Sequence, residues 1–79
     1  LQERIDEVCV EYKLTPREKE FIELIYSGKS NKEIAEILFL SESTVKTHIY
    51  NIFRKMNVKS RVGVIYIVNE ENEDELPRH

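Results

Sequence analysis

Three hydroxyl residues, Thr15, Ser30 and Ser41, each stand directly before a run whose apolar residues recur at helical spacing. A hydroxyl there accepts a hydrogen bond from a first-turn N–H that has no partner inside the helix, so each marks a helix start. Glu18 and Glu33 follow Thr15 and Ser30 by three residues and complete two capping boxes. Pro16 sits at the first helical position, where its missing N–H costs nothing, and Leu14 can pack back on the first turn. Phe21, Ile22, Leu24 and Ile25 then fall at core spacing, and Gly28 supplies a left-handed stop. The run after Ser30, with Ile34, Ala35, Ile37 and Leu38, is only about two turns long and must be held by its neighbours. Two short capped helices joined by a tight turn make a helix-turn-helix pattern. Ala35 is small enough for a close crossing, and Leu40 and Val45 can fill the space between. The turn itself, around Phe39, contains no glycine.

The helix after Ser41 runs to Met56 and has two unlike faces. At about 100° per residue, Val45, Ile49, Ile52, Phe53 and Met56 share one side. Ser43, Thr47, Tyr50, Asn51 and Arg54 share the other, with Lys46 at its edge. That polar front is almost free of acid. A face that only had to be wet would mix both signs in i,i+4 pairs. Hydroxyl, amide, Lys and Arg groups without acid suit phosphates and base edges. His48, at the border, is expected to be packed and hydrogen-bonded, since no Cys or second His lies at ligand spacing.

The flanks read differently. Leu1, Ile5, Val8, Cys9 and Tyr12 are spaced for a short amphipathic helix or linker over residues 1–12 that leans on the domain at 13–69. Cys9 is expected to serve as a small buried hydrophobe, and a single cysteine allows no internal disulfide. Ser60 is expected to cap a last element, 61–69, whose β-branched core would score as a strand on propensity alone. With no second strand to pair with, it is read as a helix. Val64, Ile65 and Val68 are assigned to the core, leaving Val62, Tyr66 and Ile67 as an apolar surplus that asks for a partner. Residues 70–79 are expected to form an acidic disordered tail.

Charge is distributed more tellingly than its sum. The 79 residues carry a net −3. Yet residues 41–61 hold Lys46, Arg54, Lys55, Lys59 and Arg61 against Glu42 alone, a local +4. The two ends are acidic. A local patch governs docking more than the total does. There is no apolar run of membrane-spanning length in the sequence, and neither a signal peptide nor a setting other than the cytoplasm is expected.

Taken together, four stretches resemble the LuxR/GerE-type DNA-binding domain over about residues 14 to 68. They are Leu14-Thr15-Pro16-Arg17-Glu18; Gly28 to Ala35; Ser41-Glu42-Ser43-Thr44-Val45-Lys46-Thr47-His48; and Arg54-Lys55-Met56-Asn57-Val58-Lys59-Ser60-Arg61. The resemblance implies an all-α, four-helix helix-turn-helix domain, here with a short extra N-terminal helix or linker. It implies that the helix at about 42–56 enters the major groove and that the helix at about 61–69 pairs two copies. It also implies the output domain of a transcription regulator, with a sensor or receiver domain upstream. Carried over by position, Lys46, Thr47 and Tyr50 would meet base edges, and Asn31, Lys32 and Thr44 would meet phosphates. Arg54 and Lys59 join the phosphate set from the basic stretch. Where this chain has Tyr50 the family often has Lys, Arg or Ser. The acidic tail and the β-branched last helix, with Gly63 in its interior, also depart from the family pattern.

Catalysis has little support: there is no nucleophile–base–orienter set and no glycine loop for phosphate. No metal or organic cofactor is implied. The expected partners are duplex DNA and a second copy of the chain on paired half-sites. The competing reading is a helical protein-interaction or dimerisation module with acidic tails and no DNA binding.

Overall fold

The computed structural model describes residues 1–70 and contains five helices: α1 (Gln2–Glu11), α2 (Pro16–Tyr26), α3 (Asn31–Leu38), α4 (Glu42–Met56) and α5 (Arg61–Asn69). No strand occurs among the described residues. The stretch at 61–69 is a helix despite its β-branched composition, because packing overrides a weak local preference. The expected tail lies outside the described residues, apart from Glu70.

The starts form as their sequences require. Thr15 and Ser30 each accept from the N–H three residues on, while Glu18 and Glu33 accept from the cap N–H, at 2.8–3.1 Å throughout. Ser41 caps α4 by accepting from the Thr44 N–H at 3.1 Å. Ser60 is the exception. Its backbone is extended as a cap's should be, but its hydroxyl makes no capping bond. Arg61, the first residue of α5, makes the anchoring contacts instead.

Four helices end on one device. Lys13, Gly28, Phe39 and Asn57 all have positive φ, between 57° and 86°. In each case the following residue's N–H reaches the carbonyl five residues back: Leu14 to Cys9, Lys29 to Leu24, Leu40 to Ala35 and Val58 to Phe53, at 2.8–3.0 Å. These are Schellman closures, which satisfy carbonyls the helix itself leaves open. Leu14, Leu40 and Val58 then turn inward against the core. Gly28 announces the device by its residue type, and Asn57 does so more weakly.

α3 packs on α4, and α2 lies against α4, α5 and α1. The core joins Phe21, Ile22 and Ile25 of α2 to Ile34 and Ala35, to Val45, Ile49, Ile52 and Met56, and to Val64 and Val68. Ile5 and Val8 of α1 are buried in the same cluster. The N-terminal stretch is therefore an integral fifth helix, packed on α2 and α5. Arg4 reinforces it by donating from Nη2 to the Ile67 carbonyl at 2.7 Å and from Nε to the Val68 carbonyl at 3.1 Å. Tyr26 adds a hydrogen bond to Asn69.

The facing of α5 differs from expectation in one pair. Val64 and Val68 are buried, but Ile67 rather than Ile65 packs partly against the core. Val62 and Tyr66 are exposed, at 73% and 64%. Gly63 has a packing reason: a Cβ there would lie 2.7 Å from Val58 Cβ. Cys9 is half-buried rather than buried, and burial pushes its thiol above the ordinary range.

Candidate nucleic-acid interface

α4 buries Val45, Ile49, Ile52 and Met56 against the domain. Its opposite side is therefore fixed toward solvent, and Ser43, Lys46, Thr47, Tyr50, Asn51 and Arg54 are all exposed. The three expected base-contact residues, Lys46, Thr47 and Tyr50, stand together there at i, i+1 and i+4. Glu42 is the one acid of the helix, and it sits in the first turn, where the helix dipole favours it.

Each front residue offers a defined chemistry. The Thr47 hydroxyl donates to the Ser43 carbonyl at 3.2 Å. Its proton is thus engaged, leaving lone pairs and a methyl group outward, which suit an amino group or a thymine methyl. The Arg54 guanidinium lies 5.8 Å from the Tyr50 ring centroid, a separation at which the ring steadies the cation. The Thr44 hydroxyl accepts from Ser41 at 2.9 Å within a small cluster that includes Ser43. His48 turns to the rear border, where its ring lies 4.8 Å from Phe21. It is packed as expected, but without the expected hydrogen bond to any described residue.

The basic stretch divides into two groups. Lys46, Arg54 and Lys59 are exposed and form no ion pair with a described residue, and Lys32 on α3 joins them. Lys55 instead reaches Glu18 at 2.8 Å. Burial pushes the Glu18 carboxyl upward, but hydrogen bonds from Lys55 and the Thr15 backbone outweigh that and leave its pKa below the ordinary value. Arg61 is also engaged. It donates from Nη1 to the Lys29 carbonyl at 2.8 Å and from Nη2 to Asn31 Oδ1. The structural roles of Lys55 and Arg61 were missed from sequence because their partners lie 30 to 37 residues away. The notched surface beside α4 is a shallow concavity lined by Glu18, Asn51, Arg54 and Lys55. Among the described residues no cluster of His, Cys, Asp and Glu could hold a metal ion, and no helix is long and apolar enough to cross a membrane.

Comparison with known proteins agrees with this layout. Residues 12–68 match the family described as bacterial regulatory proteins, luxR family. The CsgBAC operon transcriptional regulatory protein of Escherichia coli K12 is 51% identical over 57 residues, covering 72% of this chain and 26% of that protein. The nitrate/nitrite response regulator protein NarL of the same organism is 47% identical over 58 residues, covering 73% and 27%. A nitrate/nitrite response regulator protein homolog of Haemophilus influenzae is 51% identical over 59 residues, covering 75% and 28%. The chain spans about a quarter of the length of these relatives. The match takes in both capping boxes, the turn and all of α4. The chain belongs to the luxR family of bacterial regulatory proteins, a family of DNA-binding transcription regulators and not of enzymes.

Proposed function

We propose that α4 is the recognition helix of a sequence-specific duplex-DNA-binding output domain, acting in the cytoplasm as part of a longer regulator. The observation that carries it is the exposed, acid-free front of α4, bearing Lys46, Thr47, Tyr50, Asn51 and Arg54. In this reading Lys46, Thr47 and Tyr50 meet base edges in the major groove. Thr44, Arg54, Asn31, Lys32 and Lys59 meet phosphates on either side and set the helix's register. Two copies pair through α5 on neighbouring half-sites, and a sensor or receiver domain precedes the chain. The relatives include response regulators, which supports that last point.

The test combines selection of preferred sites from a random duplex library with titration of the selected duplex. Lys46→Ala should weaken specific binding by about 1–3 kcal/mol, the range for one base-edge contact, with the unfolding midpoint unchanged because Lys46 is exposed. Lys32, Lys46, Arg54 and Lys59, exposed and in no ion pair with a described residue, predict a slope of log affinity against log salt of about −3 to −4 per domain. Failure to bind any duplex at low salt would favour the protein-interaction module instead.

A further inference from the structure

We propose that Arg61 is a positioning residue for duplex binding: it holds the Asn31 amide with its NH2 group outward, ready to donate to a phosphate. This rests on the reading of Asn31 as a phosphate contact. The guanidinium has five N–H donors and no acceptor. Since Arg61 Nη2 meets Asn31 Oδ1, the oxygen is fixed inward and Nδ2 must point the other way. Flipping the amide would set donors against donors. Asn31 Nδ2 bonds to no described residue, and among the described residues no side-chain nitrogen or oxygen is both buried and unpartnered. The NH2 group is therefore open to solvent.

The same guanidinium grips the Lys29 carbonyl at 2.8 Å. One planar fork thus fixes both the backbone just before α3 and the side chain at its first position. A free surface asparagine presents an acceptor or a donor with equal ease. Asn31 presents only a donor, beside the exposed ammonium of Lys32, which is a surface for an anion. Arg61 is itself the first residue of α5, so the last helix sets the chemistry that α3 offers to the DNA backbone.

The experiment is a double-mutant cycle read by fluorescence anisotropy, using the full chain and a mixed-sequence duplex at several salt concentrations. Asn31→Ala and Arg61→Gln should each weaken binding by about ten- to a hundredfold, the loss of one hydrogen bond to a charged group. The double variant should bind no more weakly than the weaker single one, because Arg61 acts through Asn31. The salt slope of Arg61→Gln should match the parent's. Arg61→Lys keeps the charge but replaces the planar fork, whose two nitrogens meet the carbonyl and the amide oxygen separately, by a single shorter-reaching nitrogen, so it should lose as much as Arg61→Gln; it carries the cycle if the glutamine variant fails to fold. Additive losses, a slope lowered by about 0.9 per domain, or parent-like binding by Arg61→Lys would each overturn the proposal. Parent-like binding by Asn31→Ala would overturn the reading of Asn31 as a contact, whatever the Arg61 variants do.

Discussion

Phe39 carries two features that rarely coincide in one residue: a left-handed backbone, φ 58° and ψ 47°, and 93% exposure. An L-residue there brings Cβ against its own carbonyl, at a cost of roughly 1–2 kcal/mol, and this side chain recovers no burial in the domain. Phe39→Gly should therefore stabilise the fold by about 0.5–1 kcal/mol, part of the relief being lost to a freer unfolded chain. Urea unfolding measures it, and an unchanged midpoint would mean that the αL cost is met elsewhere. The absence of glycine from the turn was legible in the sequence; that Phe39 would take the glycine's conformation was not, because only the closure Leu40 N–H to Ala35 carbonyl demands it. Glu18 shows the opposite case. Its capping role was plain from Thr15-Pro16-Arg17-Glu18, but its second partner, Lys55, came from across the fold. Glu18→Ala should cost about 1–2 kcal/mol at pH 7. The carboxyl's folded pKa lies below its unfolded value, so its contribution is full above the unfolded pKa. It disappears as pH falls through the folded value. The gap between parent and variant should close on acidification; a gap that persists at low pH would trace to packing rather than to the carboxylate.

The element that tests sequence reading hardest is α5. Its amphipathic pattern placed Val64 and Val68 correctly, yet it exchanged Ile65 with Ile67. With β-branched residues at 62, 64, 65, 67 and 68 and Tyr66 among them, every face of the helix is apolar, so periodicity carries little information about which one turns inward. What settles it is distant: Arg4 anchors the last carbonyls and Arg61 anchors the first turn. The interior glycine looked like a weakness in a helix. In the fold it is a close approach to Val58 in the α4–α5 turn. Alanine has the better helix propensity by about 1 kcal/mol. An added Cβ 2.7 Å from Val58 Cβ, however, forces a backbone shift of the kind that costs about 1–3 kcal/mol. The clash outweighs the propensity, so Gly63→Ala should destabilise the domain. Val58→Ala in the same chain leaves the Cβ that makes the clash but removes the branches locking it, and should recover part of the loss in a double-mutant cycle. A Gly63→Ala chain more stable than the parent would show that α5 can lift off the turn freely.

At the scale of the whole molecule the question is how two copies would meet. The sequence assigned Val62, Tyr66 and Ile67 to that contact. The fold leaves Val62 and Tyr66 exposed, four residues apart on one stripe of α5, with Ile67 half-turned into the core. Substituting Ile67 would therefore mix pairing with folding, and Tyr66→Asp and Val62→Asp are the cleaner probes. A two-fold contact uses the same patch from each copy, so one substitution acts twice and sets like charges against each other. Two nine-residue helices bury little area, and small interfaces are weak. Pairing should then be detected only where DNA holds two domains at high local concentration. The front of α4 lies on another helix from this stripe, so the two functions separate. In gel-shift titrations Tyr66→Asp should load a two-half-site duplex without cooperativity while keeping parental affinity for a single half-site. The thermal midpoint should change by no more than about 0.5 kcal/mol in stability, the range for an exposed substitution. If Tyr66→Asp still loads both half-sites cooperatively, pairing lies elsewhere. The next surface to test is then the stretch from Leu1 to Tyr12, where Leu1 and Val10 are exposed at 66% and 80%.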